Sequence, residues 1–201
     1  MTPVEIETPH GPAHAHVHAA EGAVAALVLG HGAGGGVGAR DLVAARDVAL
    51  AEQVSVALVE QPYRVAGRRS PAPAQQLDAA WIAVVEHLRA HELDDLPLVT
   101  GGRSAGARVA CRTASVTGSL GVLCLAFPLH PPGKPEKSRL AELDAVPVPT
   151  LVVQGARDPF GVPPPAAQRV VVEVQSDHSL RSDLAAVTEA VRDWLRGLVH
   201  D

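Results

Sequence analysis

Leu98-Val99-Thr100-Gly101-Gly102-Arg103-Ser104-Ala105-Gly106-Ala107-Arg108-Val109-Ala110 is the stretch on which the reading of the whole chain turns. A short apolar run ends in glycine, and a serine then stands between Gly102 and Gly106 in the pattern G-x-S-x-G. Small flanking residues allow a turn so sharp that a strand passes directly into a helix with the serine hydroxyl exposed above the sheet. The helix start behind the serine offers unpaired N–H groups and the positive end of a dipole, which suits developing negative charge. Composition alone gives roughly 0.07 such matches in a chain of this length, so the pattern needs support from its surroundings.

On either side of this stretch, apolar runs alternate with helical segments. The runs are Val24–Leu29, Val54–Val59, Leu98–Thr100, Leu120–Phe127, Thr150–Val153 and Val170–Val174. Uninterrupted runs of this kind suit strands covered on both faces, as in a parallel sheet. Leu77, Trp81, Val84, Val85 and Leu88 form one stripe at 3.6 periodicity, with Asp78, Glu86 and Arg89 on the opposite side. Leu180, Leu184, Val187, Val191, Trp194, Leu195 and Leu198 repeat the pattern at the end, and residues 40–52 and 104–116 are further helices. Ahead of them, Val4, Ile6, Ala13, Ala15 and Val17 alternate with polar residues around Pro9-His10-Gly11-Pro12, a hairpin signal. Two hairpin strands and six runs make eight strands in a mostly parallel, doubly wound α/β sheet with helices on both faces.

The chain's 201 residues argue for a single domain over 1–201, with no internal repeat or linker. At 47% apolar and 19% charged residues it is not intrinsically disordered, and a net charge of −5 argues against a nucleic-acid partner. Cys111 and Cys124 are too few for a disulfide framework and read as small buried hydrophobes in a reducing compartment. With no signal segment and no apolar stretch near the ~18 residues a membrane span needs, a cytoplasmic location is expected.

In an open parallel sheet, ligands bind beyond the carboxyl ends of the strands, so chemistry belongs in the segments that follow each run. A serine hydroxyl is a weak nucleophile that needs a base, itself oriented by a third group. His178, in Ser176-Asp177-His178-Ser179, follows the last run, and Asp158, in Gln154-Gly155-Ala156-Arg157-Asp158-Pro159, follows the one before it. Ser104, Asp158 and His178 therefore share one edge. Asp177 and Glu60 compete for the acid's role, but Asp177 is too close in sequence to reach back, and Asp158 is preferred. Gly30-His31-Gly32-Ala33-Gly34-Gly35-Gly36 lets backbone N–H groups approach an oxyanion, and the expected hole combines the N–H groups of Ala33 and Ala105.

The same loop supports a rival. Gly30, Gly32 and Gly35 spell G-x-G-x-x-G after a run, and Glu60 ends the next one, as in a dinucleotide-binding fold. Against this stand the preceding hairpin and the independent Ser, Asp, His set.

Assembled, these residues resemble the α/β-hydrolase superfamily near its small dienelactone-hydrolase-like branch. Leu29–Gly35 is similar to the family's oxyanion loop and Gly102–Gly106 to its nucleophile elbow, with the chain order Ser, Asp, His. Phe127–Lys137 is similar to the KANL/TEX-like group of small hydrolase-like proteins. The resemblance implies a three-layer fold with minimal or no cap, and a serine hydrolase acting on a small ester or thioester without metal or cofactor. A non-catalytic binding or scaffold role on the same fold is the alternative. A small-molecule substrate, no nucleic acid, no membrane, and a monomer or homodimer complete the expectation.

Further residues near the edge, His31, Tyr63, Arg103, Lys134 and Phe160, are candidates for substrate contact. Arg64, Arg68 and Arg69 read as a solvated loop. His14, His16 and His18 share one strand face, and with no acidic neighbour in sequence they read as an exposed polar face rather than metal ligands.

Overall fold

The computed structural model describes residues 2–200. Its eight strands form one sheet: β1 (Val4–Ile6), β2 (Ala13–His18), β3 (Ala25–Gly30), β4 (Val54–Glu60), β5 (Leu98–Arg103), β6 (Gly121–Leu125), β7 (Thr150–Gly155) and β8 (Arg169–Val174), in spatial order β1-β2-β4-β3-β5-β6-β7-β8. β1 and β2 pair antiparallel, β2 joins β4 antiparallel, and the remaining five pairings are parallel.

Each apolar run divides its side chains between two layers because successive residues in a strand face opposite ways. Leu27, Leu29, Leu123 and Leu125 pack under α1 (Arg40–Ala51) and α6 (Leu184–Val199). Ala26, Val28, Ala57 and Val59 face α3 (Ala74–His91), while Val122 and Cys124 face α4 (Ala105–Thr117). Full burial on both faces explains why these runs lack polar alternation, and each buried Val or Leu contributes about 1.5–3 kcal/mol. Cys111 and Cys124 are both buried free thiols, one on α4 and one on β6.

Two readings are corrected, and two short helices are added. The last helix begins at Leu184, not Leu180, because Asp183 caps it by accepting from the Ala186 N–H, while Leu180 adopts a left-handed backbone (φ 55°) and still buries its side chain. β8 is an edge strand, so Val170 is exposed on the sheet's outer side rather than covered on both faces. Two short helices, α2 (Pro62–Val65) and α5 (Leu140–Asp144), carry too few turns to show periodicity in sequence. Between β6 and β7, α5 is the only helix, so nothing of cap size covers the sheet's carboxyl edge. No helix among the described residues is long and apolar enough to cross a membrane.

Candidate active site

At the β5–α4 junction Ser104 holds φ 52° and ψ −106°, a strained backbone that its surroundings must impose. Its N–H donates to the Leu125 carbonyl at 2.9 Å. The flanking glycines are required by backbone crowding. A Cβ on Gly102 would stand 2.5 Å from the Gly30 carbonyl oxygen, and one on Gly106 would run into the same carbonyl. Three main chains thus meet behind the serine, which explains why the turn tolerates only glycine at two of its five positions.

Asp158 and His178 come from the turns after β7 and β8. These turns are locked together: the N–H groups of Ala156 and Arg157 donate to the carbonyls of Val174 and Ser176 at 2.9 and 3.0 Å. Gly155 lets the two approach, since any Cβ there would collide with the Asp177 carbonyl. His178 Nδ1 lies 2.7 Å from Asp158 Oδ2, and His178 Nε2 lies 2.9 Å from Ser104 Oγ. A carboxylate only accepts, so Nδ1 carries the proton and donates, which leaves Nε2 to accept from the serine hydroxyl. The carboxylate is fully buried while the imidazole keeps 17% exposure.

Burying that carboxylate is costly unless it is hydrogen-bonded. Three donors meet it: His178, the Phe160 N–H at 2.8 Å and the Gln154 carboxamide at 2.7 Å. The Gln154 Nε2, at the carboxyl end of β7, also lies 3.1 and 3.0 Å from the carbonyls of Phe127 and Gly161, so its two N–H groups are shared among three acceptors. Sequence reading assigned it no part, although a lone amide closing an otherwise apolar strand was the available signal. The Phe160 ring lies 4.2 Å from the imidazole ring, so this candidate does reach the site.

The glycine-rich loop after β3 is braced rather than free. Tyr63 donates its hydroxyl to the Ala33 carbonyl at 3.1 Å, which fixes the peptide that follows that residue. His31 is buried; its Nδ1 donates to the Gly32 carbonyl at 2.8 Å and its Nε2 accepts from the Gln61 N–H at 3.1 Å. Burial holds its pKa below the ordinary histidine range, against a smaller opposing effect of the Gly32 bond. His31 and Tyr63 therefore support the loop, and His31 has no ring nitrogen left for a substrate. Ala105 opens α4, so its N–H has no partner within the helix.

Other candidates are placed differently from expectation. Arg103 turns its guanidinium away from open solvent, with Nε 2.9 Å from Asp41 Oδ2 and Nη2 donating to the His178 carbonyl at 3.1 Å. Lys134 lies exposed in the proline-rich loop 128–135, where among the described residues no ion pair ties its ammonium to the site. His130, in the same loop, fastens it through its main-chain N–H, which donates to the Phe160 carbonyl at 3.0 Å. Asp177 accepts from the N–H and hydroxyl of Ser179 and points to solvent. Glu60 lies opposite His14 across the β2–β4 pairing and contacts His16 at 3.2 Å, so it belongs to the far side of the sheet. Acidic partners for the histidine strand are thus supplied across the sheet, by Glu60 of β4 for His16 and by Glu5 of β1 for His14 at 3.4 Å. Among the described residues no group of three His, Cys, Asp or Glu side chains is arranged to hold a metal. The dinucleotide reading also loses its geometry: α1 starts at Arg40, ten residues past Gly30, whereas that fingerprint needs the helix to open at the glycines.

Residues 23–186 match the family described as alpha/beta hydrolase domain. No curated protein is significantly similar to the chain. Among solved structures, the chain is similar to an α/β serine hydrolase without lid from Xanthomonas campestris, at 20% identity and TM-score 0.79, over 100% of this chain and 95% of that one. Est1E from Butyrivibrio proteoclasticus superposes over 100% of both chains at 17% identity and TM-score 0.80. A dienelactone hydrolase from Anabaena variabilis covers 99% of this chain and 100% of its own at 15% identity and TM-score 0.78. At such identities the likeness concerns the fold.

Proposed function

The chain belongs to the alpha/beta hydrolase domain family, and on that premise we propose that it is a serine hydrolase cleaving a small carboxylic ester or thioester. The observation that carries the reading is the unbroken relay from a buried carboxylate through Nδ1 and Nε2 of one imidazole to a strained serine hydroxyl, at 2.7 and 2.9 Å.

In this reading His178 Nε2 takes the Ser104 proton as Oγ attacks the carbonyl carbon, and Asp158 holds the imidazole in the productive tautomer and stabilises the imidazolium. The negative charge that develops on the carbonyl oxygen is met by the N–H groups of Ala105, at the start of α4, and Ala33, in the loop that Tyr63 braces. The tetrahedral intermediate collapses as His178 returns the proton to the departing alcohol or thiol. Water then adds to the acyl-serine with its proton going to His178, and a second collapse releases the acid and restores Ser104. Phe160, beside the imidazole ring, forms one wall for the substrate.

A small substrate suits an edge over which no cap is folded. Relatives of like fold include a protein named as a dienelactone hydrolase and one named as a serine hydrolase without lid, which accords with ester chemistry on an open rim. The test is direct. Wild-type protein is expected to hydrolyse p-nitrophenyl acetate and to be labelled at Ser104 by a fluorophosphonate. Absence of both would favour a binding or scaffold protein on the same fold.

A further inference from the structure

The side chain next to the nucleophile in sequence, Arg103, meets the structure on three sides, through one hydrogen bond, one ion pair and one close approach. Its Nη2 donates to the main-chain carbonyl of His178 at 3.1 Å, across 75 positions of sequence. Its Nε stands 2.9 Å from Asp41 Oδ2, in the first turn of α1, where the carboxylate is 1% exposed. Its Nη1 occupies the space beside Gly32, so close that a Cβ on that glycine would lie 2.8 Å away. One guanidinium therefore touches the histidine turn, the helix α1 and the glycine-rich loop that holds Ala33.

Topology explains why such a brace matters. Ser104 leaves β5, whereas His178 leaves β8, three strands away in the sheet order and hence about 14 Å apart at the strand ends. The β8 turn must reach back across β6 and β7 to place its imidazole over the serine. Its hydrogen bonds to the β7 turn fix its height but not its reach toward β5. Besides the His178–Ser104 contact itself, the Arg103 bond to the His178 carbonyl spans this gap, and it acts on the backbone of the residue whose side chain must be placed. Burial pushes the Asp41 carboxyl above its ordinary range, and the Arg103 charge partly offsets this, so the pair anchors itself in a poorly solvated place.

We propose that Arg103 is a positioning residue that draws His178 over Ser104, anchored by Asp41 and given room by the missing side chain at Gly32. This rests on the serine-hydrolase reading and deepens it. A planar, five-donor guanidinium can face two partners in different directions at once, which an ammonium cannot do at this spacing.

The experiment uses the full chain and p-nitrophenyl acetate. Arg103→Met is expected to lower kcat about 10²-fold, the scale of an ångström's misplacement of a reacting group, with KM changed less than about twofold. Arg103→Lys should recover only part of the loss. Gly32→Ala pushes the far end of a flexible side chain, so it should fold and lower kcat roughly tenfold. In the Arg103→Met background it should cost nothing more, because both act through the same contact. Should Arg103→Met strand the Asp41 charge and fail to fold, Arg103→Met with Asp41→Asn replaces it with the same expectation. Amide hydrogen exchange at residues 176–180, faster in the Arg103 variants than in wild type, reads the brace without turnover. A kcat within about threefold of wild type, a Gly32→Ala loss that persists undiminished without the guanidinium, or unchanged exchange at 176–180 overturns the proposal. Loss of wild-type esterase activity and labelling would instead overturn the hydrolase reading, with the exchange measurement still deciding whether the brace exists.

Discussion

Histidine–carboxylate pairs sit at both ends of the sheet, and among the described residues only the one between the β7 and β8 turns also faces a serine hydroxyl. His16 meets Glu60 at 3.2 Å near one end of the sheet, with both side chains about 30% exposed. His178 meets Asp158 at 2.7 Å at the other, with the carboxylate fully buried. The first pair is solvated and reaches no nucleophile. In the second, the buried acid is held by a backbone N–H and a buried amide, and the imidazole's second nitrogen faces a hydroxyl. The residue types are nearly alike. What separates the pairs is desolvation, which strengthens and orients the contact, and a third group that gives the proton somewhere to move.

That contrast can be broken most forcefully at the nucleophile. Ser104→Ala should abolish p-nitrophenyl acetate turnover, a loss of about 10⁶-fold in kcat if the serine acts covalently. Residual activity near wild type would mean that the buried pair serves stability alone. Asp158→Asn keeps the shape but favours the wrong tautomer, so kcat is expected to fall about 10⁴-fold; a mild effect would place the acid's role elsewhere. Gln154→Met removes a donor shared by Asp158 Oδ2 and two carbonyls. Stripping such a buried bond costs about 1–3 kcal/mol, so urea unfolding should show that loss, with roughly a tenfold drop in kcat.

A pH experiment sharpens the picture at the buried imidazole of His31. His31 has its folded-state pKa lowered, chiefly by burial, so the unfolded chain binds more protons below the ordinary histidine pKa. Its contribution is complete above that pH and is lost as pH falls through the ordinary value toward the lowered one. The melting temperature should therefore decline on acidification from about pH 7.5 to 5, and His31→Gln should flatten that part of the slope. The smallest effect belongs to the solvated pair. Glu60→Gln should change stability by less than about 1 kcal/mol and leave ester turnover intact; a large loss of turnover would mean that the two pairs are coupled across the sheet.

The elements differ in how far they could be read in advance. Strands β3, β4, β6 and β7 were legible because burial on both faces leaves a run with few polar positions and no alternation, and that is a local property of the chain. β8 was legible as a strand but not as an edge, since Val170 looks like any other valine until its neighbours are known. The stripe beginning at Leu180 was overextended for a related reason: a buried leucine continues a helical pattern whether or not its backbone is helical. Ser104, Asp158 and His178 could be nominated from their places after strands, which restricts the candidates to one edge. Arg103 shared that edge and was nominated for substrate contact, yet its partners Asp41 and His178 lie 62 and 75 positions away. Gln154 was passed over because nothing in its neighbourhood shows which carboxylate it faces.

Period and turn chemistry, carried by residues near one another in the chain, were enough to determine a parallel α/β sheet, a serine at its sharpest turn and an ordered set of partners along its edge. Which acid is buried, which histidine stands over the hydroxyl, and which partners the Arg103 guanidinium meets were decided by the tertiary structure. Desolvation and hydrogen-bond direction depend on groups brought together across the strand order, and a chain's linear sequence carries no distances between them.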